Sequence, residues 1–368
     1  MPAYLSESGN EVLVNEATSK FFWKRFKRGQ KVGSGGFATV YKAIDTRDNN
    51  RVVALKIFNH KRRESFFNEK VLLDRLKNVP HVIQLYSAWA INSSSDSNAQ
   101  YVIVMQLFEG EAANRLKLAS YERHHILRIA EQGAQALKLI HQRGIIHGDV
   151  KLDNILYSKK TGAVIIDFGV SCLGLDVGES RKVGAVRARC EESGAVLGTH
   201  FYFSLDRWRV ILAIRNKLKD KAVSLETYFK IMRKDDMFAF GIALYELTMG
   251  RRYRAPAFVS VPKYYAQVME LLKIPESMTP NGWMGMQTNL LFKVVLELLT
   301  ASYTQRPTAT ETLRMIKVVL RSGGTSSASS SVASSAVVGK SSRSSNSSSL
   351  WGSTDTPSSW ESWNKRLR

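Results

Sequence analysis

The sequence predicts a soluble α+β protein followed by a tail without a core, and three observations carry that reading. Strands flank a glycine-rich turn over 32–42, and the apolar runs over 52–56 and 101–110 read as a strand and as a strand entering a hinge. Helical spacing follows them: Glu69 with Leu73 and Leu76 at i+4 and i+7, and a basic amphipathic pattern over 208–219. After Leu320 the composition turns abruptly to serine, too poor in apolar residues to fold.

The chain of 368 residues is long enough to bury a sizeable core, in one large domain or two lobes. Its 44% hydrophobic and 23% charged content is that of a globular protein. Cys172 and Cys190 are too few for a disulfide framework or a cysteine zinc site, so a reducing, intracellular compartment is expected, cytoplasm or nucleus. The start, Met1-Pro2-Ala3-Tyr4-Leu5, lacks the basic and apolar regions of a signal peptide, and no apolar run reaches the ~20 residues of a membrane span. A net charge of +21 favours acidic partners, nucleic acid or anionic lipid through a basic surface, although a merely solvated basic face reads the same and no nucleic-acid motif is present.

The chemistry concentrates in Ile145-Ile146-His147-Gly148-Asp149-Val150-Lys151-Leu152-Asp153-Asn154-Ile155-Leu156, a polar turn between apolar pairs. A second acidic turn follows a β-branched run in Val164-Ile165-Ile166-Asp167-Phe168-Gly169. Two carboxylates and a carboxamide on neighbouring turns suit magnesium-assisted phosphoryl transfer: one carboxylate orients a hydroxyl, and the other holds metal with the carboxamide.

Upstream, residues 1–22 read as a flexible arm. Phe21-Phe22-Trp23-Lys24-Arg25-Phe26-Lys27-Arg28 reads as a leading strand with one solvated face, in preference to a membrane or nucleic-acid patch. Val32-Gly33-Ser34-Gly35-Gly36-Phe37-Ala38-Thr39-Val40 is a glycine-rich turn whose N–H groups can approach phosphates. Strands flank it on both sides, which excludes a Rossmann or Walker loop. In Val52-Val53-Ala54-Leu55-Lys56 the one charge able to point inward is Lys56, and Glu69 on the next helix can hold it.

In this order the motifs resemble the eukaryotic-type serine/threonine protein kinases, from about Phe26 to about Val319. The resemblance implies a bilobal, protein-kinase-like fold: a β-rich N-lobe over 23–110, a helical C-lobe over 111–321, ATP between them, and a Ser-rich tail over 322–368. It implies ATP and Mg²⁺ as cofactors and protein serine or threonine hydroxyls as acceptors. Asp149 corresponds to the catalytic-loop base, Lys151 to the lysine near the γ-phosphate, and Asn154 and Asp167 to the metal ligands. Lys56, held by Glu69, corresponds to the phosphate-contacting lysine. Met105 stands at the gatekeeper position, with Gln106 and Phe108 offering backbone groups to adenine and Val40, Ala54 and Leu156 enclosing it. Leu73, Leu85, His147 and Phe168 match the family's regulatory spine. Gly198-Thr199 matches the substrate-side loop, Asp236 the carboxylate that braces the catalytic loop, and Arg306 the partner of the acid ending the activation segment.

The sequence departs from the family pattern in places. Gly148 replaces the arginine that normally pairs with an activation-loop phosphate, which implies activity without loop phosphorylation. His-Gly-Asp also occurs in aminoglycoside- and choline-kinase-like phosphotransferases, the first alternative; a pseudokinase scaffold is the second. Lys151, Gly198-Thr199 and Asp236 favour a protein substrate, and the presence of Lys56, Asp149 and Asp167 speaks against a scaffold. Ser204-Leu205-Asp206 replaces the usual Ala-Pro-Glu, and Ala38 replaces the third glycine of the nucleotide loop. Those divergent anchors and the serine tail suit a virus- or pathogen-encoded kinase.

The activation segment, 167–206, is long and carries Arg181, Lys182, Arg187 and Arg189. The insertion over 207–235 reads as an extra helix with one packed and one solvated face, or a docking site for an acidic partner. Asp153 hints at basic sequences upstream of the target hydroxyl. In the tail, Lys340-Ser341-Ser342-Arg343-Ser344 suits autophosphorylation as well as it suits an inert linker, and Trp351, Trp360 and Trp363 suit docking or folding back.

Overall fold

The computed structural model describes residues 4–5, 11–12, 15–58, 62–92, 100–113, 123–173, 197–215, 224–250, 263 and 286–322. A short antiparallel pair, β1 (Tyr4–Leu5) and β2 (Glu11–Val12), opens the chain. Next come β3 (Asn15–Thr18), α1 (Ser19–Arg25), β4 (Phe26–Ser34), β5 (Ala38–Asp45) and β6 (Arg51–Phe58). The N-terminal region is completed by α2 (Arg63–Arg75), β7 (Leu85–Asn92) and β8 (Gln100–Gln106). Its strands form one six-stranded sheet in the order β3-β7-β8-β6-β5-β4. All neighbours are antiparallel except β3 and β7. The β5–β6 turn reverses through Asn49 and Asn50 at φ 49° and 55°, a region asparagine enters more readily than most residues.

Each face of this sheet has its own core. Ala54, Phe58 and Ile103 pack with Phe66, Leu72 and Leu73 of α2, continuous with the rest of the protein's interior. On the other face Ala43, Val53, Leu55, Trp89, Val102 and Val104 are covered by Phe22 and Phe26, both fully buried.

That second core corrects the reading of the chain's beginning. Residues 19–25 are a helix, not a leading strand, and 15–22 belong to the packed region instead of a loose arm. A strand would divide Phe21, Phe22, Trp23 and Phe26 between two faces. The helical period stacks Phe22 and Phe26 on one side and leaves Lys20 and Lys24 in solvent. Thr18 caps the turn by accepting from the Phe21 N–H at 3.3 Å.

The C-terminal region is helical. It contains β9 (Glu111–Ala112), α3 (Arg123–Gln142), β10 (Ile145–Ile146), β11 (Ile155–Ser158), β12 (Gly162–Ile165) and β13 (Cys172–Leu173). Among the described residues four further helices follow: α4 (Leu205–Arg215), α5 (Leu225–Met249), α6 (Met286–Leu298) and α7 (Ala309–Arg321). Strand β11 pairs with β12 and β9, and β10 pairs with β13, so both acidic turns are bounded by strands. Helix α5 is buried on all sides around Met237, Phe240, Ile242, Ala243 and Leu244, and ends on Gly250 in the left-handed region. A reciprocal capping box between Thr308 and Glu311 starts α7.

The insertion differs from its expected amphipathic form. In α4, Leu205, Asp206, Arg207, Trp208, Val210 and Ile211 are all buried, so its first turns are interior rather than half-solvated. Residues 216–223 lie outside the described part, as do the basic segment residues Arg181, Lys182, Arg187 and Arg189 and the tail from 323 onward. Among the described residues no helix is long and apolar enough to cross a membrane.

Candidate active site

Lys56 lies on β6 opposite Val40 and Ile103, and its ammonium is buried. It donates to Glu69 Oε1 at 2.6 Å and Oε2 at 2.7 Å, and to Asp167 Oδ1 at 2.8 Å. Helix α2 delivers Glu69 on the same buried face as Phe66, Leu72 and Leu73. Burial alone would lower the Lys56 pKa, but the two carboxylates outweigh it and raise it. Burial lifts Glu69 above the ordinary carboxylate range against the pull of Lys56. For Asp167 burial acts upward too, yet Lys56, His147 and the Gly169 N–H bring it down to about 2. Asp167 is the open end of the triad, with its side chain 48% exposed against 9% for Lys56 and 2% for Glu69. Its backbone sits at φ 66°, a conformation an aspartate tolerates better than most side chains and one that aims the carboxylate at Lys56.

The other acidic turn is held as firmly. Asp149 Oδ1 accepts from the Thr199 N–H at 2.8 Å, and Oδ2 accepts from Lys151 Nζ at 2.7 Å and Asn154 Nδ2 at 3.1 Å. Lys151 also donates to Thr199 Oγ1 at 2.7 Å, so the Gly198-Thr199 loop closes directly on Asp149. The two turns are tied together: the Ile166 N–H donates to Asn154 O at 2.9 Å, and His147 Nε2 lies 3.0 Å from Ile166 O. The His147 and Phe168 rings meet edge to face with centroids 5.0 Å apart, and Leu73 and Leu85 are buried in the same core.

The donor set suits a hard divalent cation. Asn154 commits its Nδ2 to Asp149, to the backbone oxygen at 2.8 Å as well as to Oδ2, so its amide oxygen is the atom that could serve a cation as donor. With Asp167 this gives two oxygen donors. Among the described residues no group of three or more His, Cys, Asp and Glu is placed to hold a metal ion.

Most of the residues that the sequence assigns to the nucleotide fall on the six-stranded sheet, while Phe108 follows β8 and Leu156 lies on the separate β9-β11-β12 sheet. Gly35, Gly36 and Phe37 make the β4–β5 turn, with Gly33 opposite Val40, Ser34 opposite Thr39, and Gly35 N–H donating to Ala38 O at 3.0 Å. A Cβ added at Gly33, Gly35 or Gly36 would meet nothing within 4 Å, so the turn faces open space. Val32 is exposed, and Ala38 is buried with no positive φ, as its replacement of a glycine requires. Ala54 lies opposite Met105, and Val53 opposite Gln106, across β6 and β8. The Gln106 N–H donates to Gln84 O at 2.8 Å, and Phe108 O accepts from Gly110 N–H at 3.1 Å. Leu156 is half-buried on β11.

Asp206 and Arg306 face each other at 3.6 Å, an ion pair without a direct hydrogen bond. The shorter carboxylate takes its bonds from the Tyr303 N–H at 2.8 Å and Arg209 Nη1 at 3.2 Å. Arg306 instead donates to Lys234 O at 2.9 Å and Thr300 O at 2.8 Å. Burial raises the Asp206 pKa despite both arginines. Asp236, on α5, accepts from the backbone N–H of both His147 and Gly148.

Three residues here had not been singled out from the sequence: His141, 2.9 Å from Asp236 Oδ2; Asp235; and Arg207, which donates to Asp235 Oδ2 at 2.8 Å. Only the juxtaposed Asp235-Asp236 pair hinted at them, and an acidic doublet on a helix is ordinarily a surface feature.

Residues 26–201 match the family model described as a protein kinase domain. A protein of Clostridium acetobutylicum named a probable serine/threonine-protein kinase is 27% identical over 66% of this chain and 33% of its own length. The serine/threonine-protein kinase PknB of Bifidobacterium longum, also named as probable, is 26% identical over 70% of this chain and 34% of its own. The Arabidopsis thaliana serine/threonine/tyrosine-protein kinase HT1 is 25% identical over 60% of this chain and 49% of its own length. The chain thus spans about a third to a half of the length of these relatives. With the motifs in order, the sheet and helices arranged as described and the two acidic turns brought together, residues 26–201 of this chain are assigned to a protein kinase domain.

Proposed function

We propose that the protein transfers the γ-phosphate of ATP to serine or threonine hydroxyls of protein substrates. One observation carries the reading. Asp149 is fixed by Lys151, Asn154 and the Thr199 N–H, while the neighbouring turn presents Asp167 against the Lys56–Glu69 pair. Asp149 orients the acceptor hydroxyl and takes its proton as that oxygen bonds to the γ-phosphorus. The bond from the γ-phosphorus to the β–γ bridging oxygen breaks, and ADP leaves with the electron pair. Lys56 contacts the nucleotide phosphates, and Lys151 steadies charge on the transferring group while holding Asp149 to Thr199. Asn154 and Asp167 hold Mg²⁺, which offsets phosphate charge when bound. The turn of Val32, Gly33, Ser34, Gly35, Gly36, Phe37, Ala38 and Thr39 covers the phosphates. Val40, Ala54, Met105 and Leu156 enclose adenine beside the backbone of Gln106 and Phe108.

Gly148 carries no side-chain cation, and we assign the protein activity without phosphate on its activation segment. The carboxylate of Asp153, next to Asn154 in the chain, is the basis on which we propose a preference for basic sequences. The test is label transfer from γ-labelled ATP with Mg²⁺ to the protein itself and to basic and acidic serine peptides. Label on serine or threonine that is lost in Asp149→Asn, with ATP binding retained, is the expected result. Equal transfer by wild type and Asp149→Asn would overturn the assignment.

A further inference from the structure

The place of the missing arginine is served from another element. Arg207, on the first turn of α4, is 1% exposed, and its guanidinium branches to Gly148, Asp235 and Leu197 among the described residues. Nη1 donates to Gly148 O of the catalytic loop at 3.0 Å and to Asp235 Oδ2 of α5 at 2.8 Å. Nη2 donates to Leu197 O, the residue leading into Gly198-Thr199. The guanidinium lies over the Phe203 ring at 3.5 Å, and the Ser204 N–H donates to the second oxygen of Asp235 at 2.8 Å.

The surrounding backbone is shaped for this convergence. Gly148 has φ 78°, and a Cβ there would stand 3.2 Å from Val170 O. Gly198 has φ 114°, and its Cβ would stand 2.7 Å from Gly148 O and 3.4 Å from Arg207 Nη2. Only glycines let the catalytic loop, the substrate loop and the guanidinium approach so closely.

We infer that Arg207 is a positioning residue, a permanent clasp that joins the carbonyl of Gly148 to that of Leu197. It thereby keeps Thr199 seated on Asp149 without an activation-segment phosphate. The two carbonyls are one residue away from Asp149 and two away from Thr199, the pair joined at 2.8 Å. A rigid fork that binds both fixes the register of that bond. In the family resemblance an arginine at position 148 would need an exogenous phosphate to neutralise it. Here Asp235 supplies the neutralising charge from within the fold, so the clasp is closed at all times. The inference rests on the phosphotransfer reading above for its effect on rate, but not for its effect on structure.

The test compares the full chain with Arg207→Lys, Arg207→Met and Arg207→Met/Asp235→Asn. The double variant removes the charge that the single variant would strand in the interior. Each protein is treated with phosphatase and its mass checked. Then kcat, the KM for ATP and for an arginine-rich serine peptide, thermal unfolding, and hydrogen exchange of peptides covering 147–151 and 197–204 are measured.

Phosphate-free wild type should keep full activity. The double variant should melt cooperatively and bind ATP within about twofold of wild type, yet lose about tenfold or more in kcat and exchange faster in both peptides while α5 stays protected. Arg207→Lys, which keeps the charge but not the fork, should fall between. A folded double variant with wild-type kcat and wild-type exchange overturns the clasp, as does loss of wild-type activity on phosphate removal. If wild type transfers no phosphate at all, the phosphotransfer reading fails by itself, and the exchange of the two peptides still decides whether Arg207 fastens them.

Discussion

Asp236 lies beneath Gly148 with both carboxylate oxygens engaged by the catalytic loop: Oδ1 accepts from the Gly148 N–H and Oδ2 from the His147 N–H, each at 2.8 Å. The group is buried, and His141 stands 2.9 Å from Oδ2. Burial by itself would raise its pKa; the His141 contact, His147 and the Gly148 N–H overcome that and hold it low. A carboxylate so placed dictates where Asp149 begins. Removing it leaves two interior N–H groups without acceptors, at about 1–3 kcal/mol each. Asp236→Ala should therefore lower the urea midpoint substantially and reduce kcat in the fraction that folds. Asp236→Asn, which keeps one acceptor, should cost about half as much. Equal stability of wild type and Asp236→Ala in urea would contradict this account of the brace.

Lys56 and Glu69 make a different kind of prediction, because removing one partner strands the other. Lys56→Met should abolish phosphate transfer and also destabilise the fold, by up to about 3–5 kcal/mol, since Glu69 then keeps a charge in the interior or must take up a proton. Lys56→Met/Glu69→Gln should recover much of that stability without recovering activity. Differential scanning calorimetry of the three proteins separates the two effects. Were the double variant no more stable than Lys56→Met, the buried pair would not be the source of the loss.

The acid limb of stability follows from Asp167. Its pKa in the fold is about 2, because Lys56 and the Gly169 N–H favour the ionised form, whereas an unfolded aspartate titrates near ~3.9. The folded value is the lower one, so the pairing contributes stability above about pH 4 and loses it as the pH falls from about 4 toward 2. Asp167→Asn should be less stable than wild type at neutral pH, and the gap should close over that interval. Urea midpoints at a series of pH values give the comparison; a gap independent of pH would remove Asp167 from the titration.

How far the sequence was legible depends on what kind of constraint each residue obeys. Asp149, Lys151, Asn154, Asp167, Lys56 and Glu69 stand in an order and chemistry that few unrelated chains share, so they could be singled out, and the fold brings all six to one region. Arg207 and Asp235 obey no local rule. They pair across 28 positions of sequence, and one arginine and one aspartate without a motif resemble surface charges. The first helix was misread for a related reason. The mixture of aromatic and basic residues over 21–28 suggests a strand with a solvated face, yet only the helical period brings Phe22 and Phe26 onto one side, where the Trp89 ring meets them at 5.6 Å and 5.8 Å. Asp206 shows the limit on the other side. Its partnership with Arg306 was legible, but its short side chain leaves 3.6 Å between them and passes the hydrogen bonds to Tyr303 and Arg209.

The outer core of the sheet yields the last prediction. Phe22 is fully buried, with ring centroids 4.7 Å from Phe26, 5.0 Å from Trp23 and 5.6 Å from Trp89, whereas Phe21 beside it is 39% exposed. Phe22→Ala opens a cavity over Val53, Leu55 and Val104 and should cost about 3–5 kcal/mol. Phe21→Ala loses a stack with Arg47 at 4.8 Å and should cost no more than about 1 kcal/mol. Because Lys56 shares β6 with Val53 and Leu55, the Phe22 variant should also weaken ATP binding near its melting temperature while leaving it unchanged well below. Thermal melts of both variants with and without ATP provide the reading. Comparable melting temperatures for the two would mean that α1 does not pack on the sheet as a structural cover.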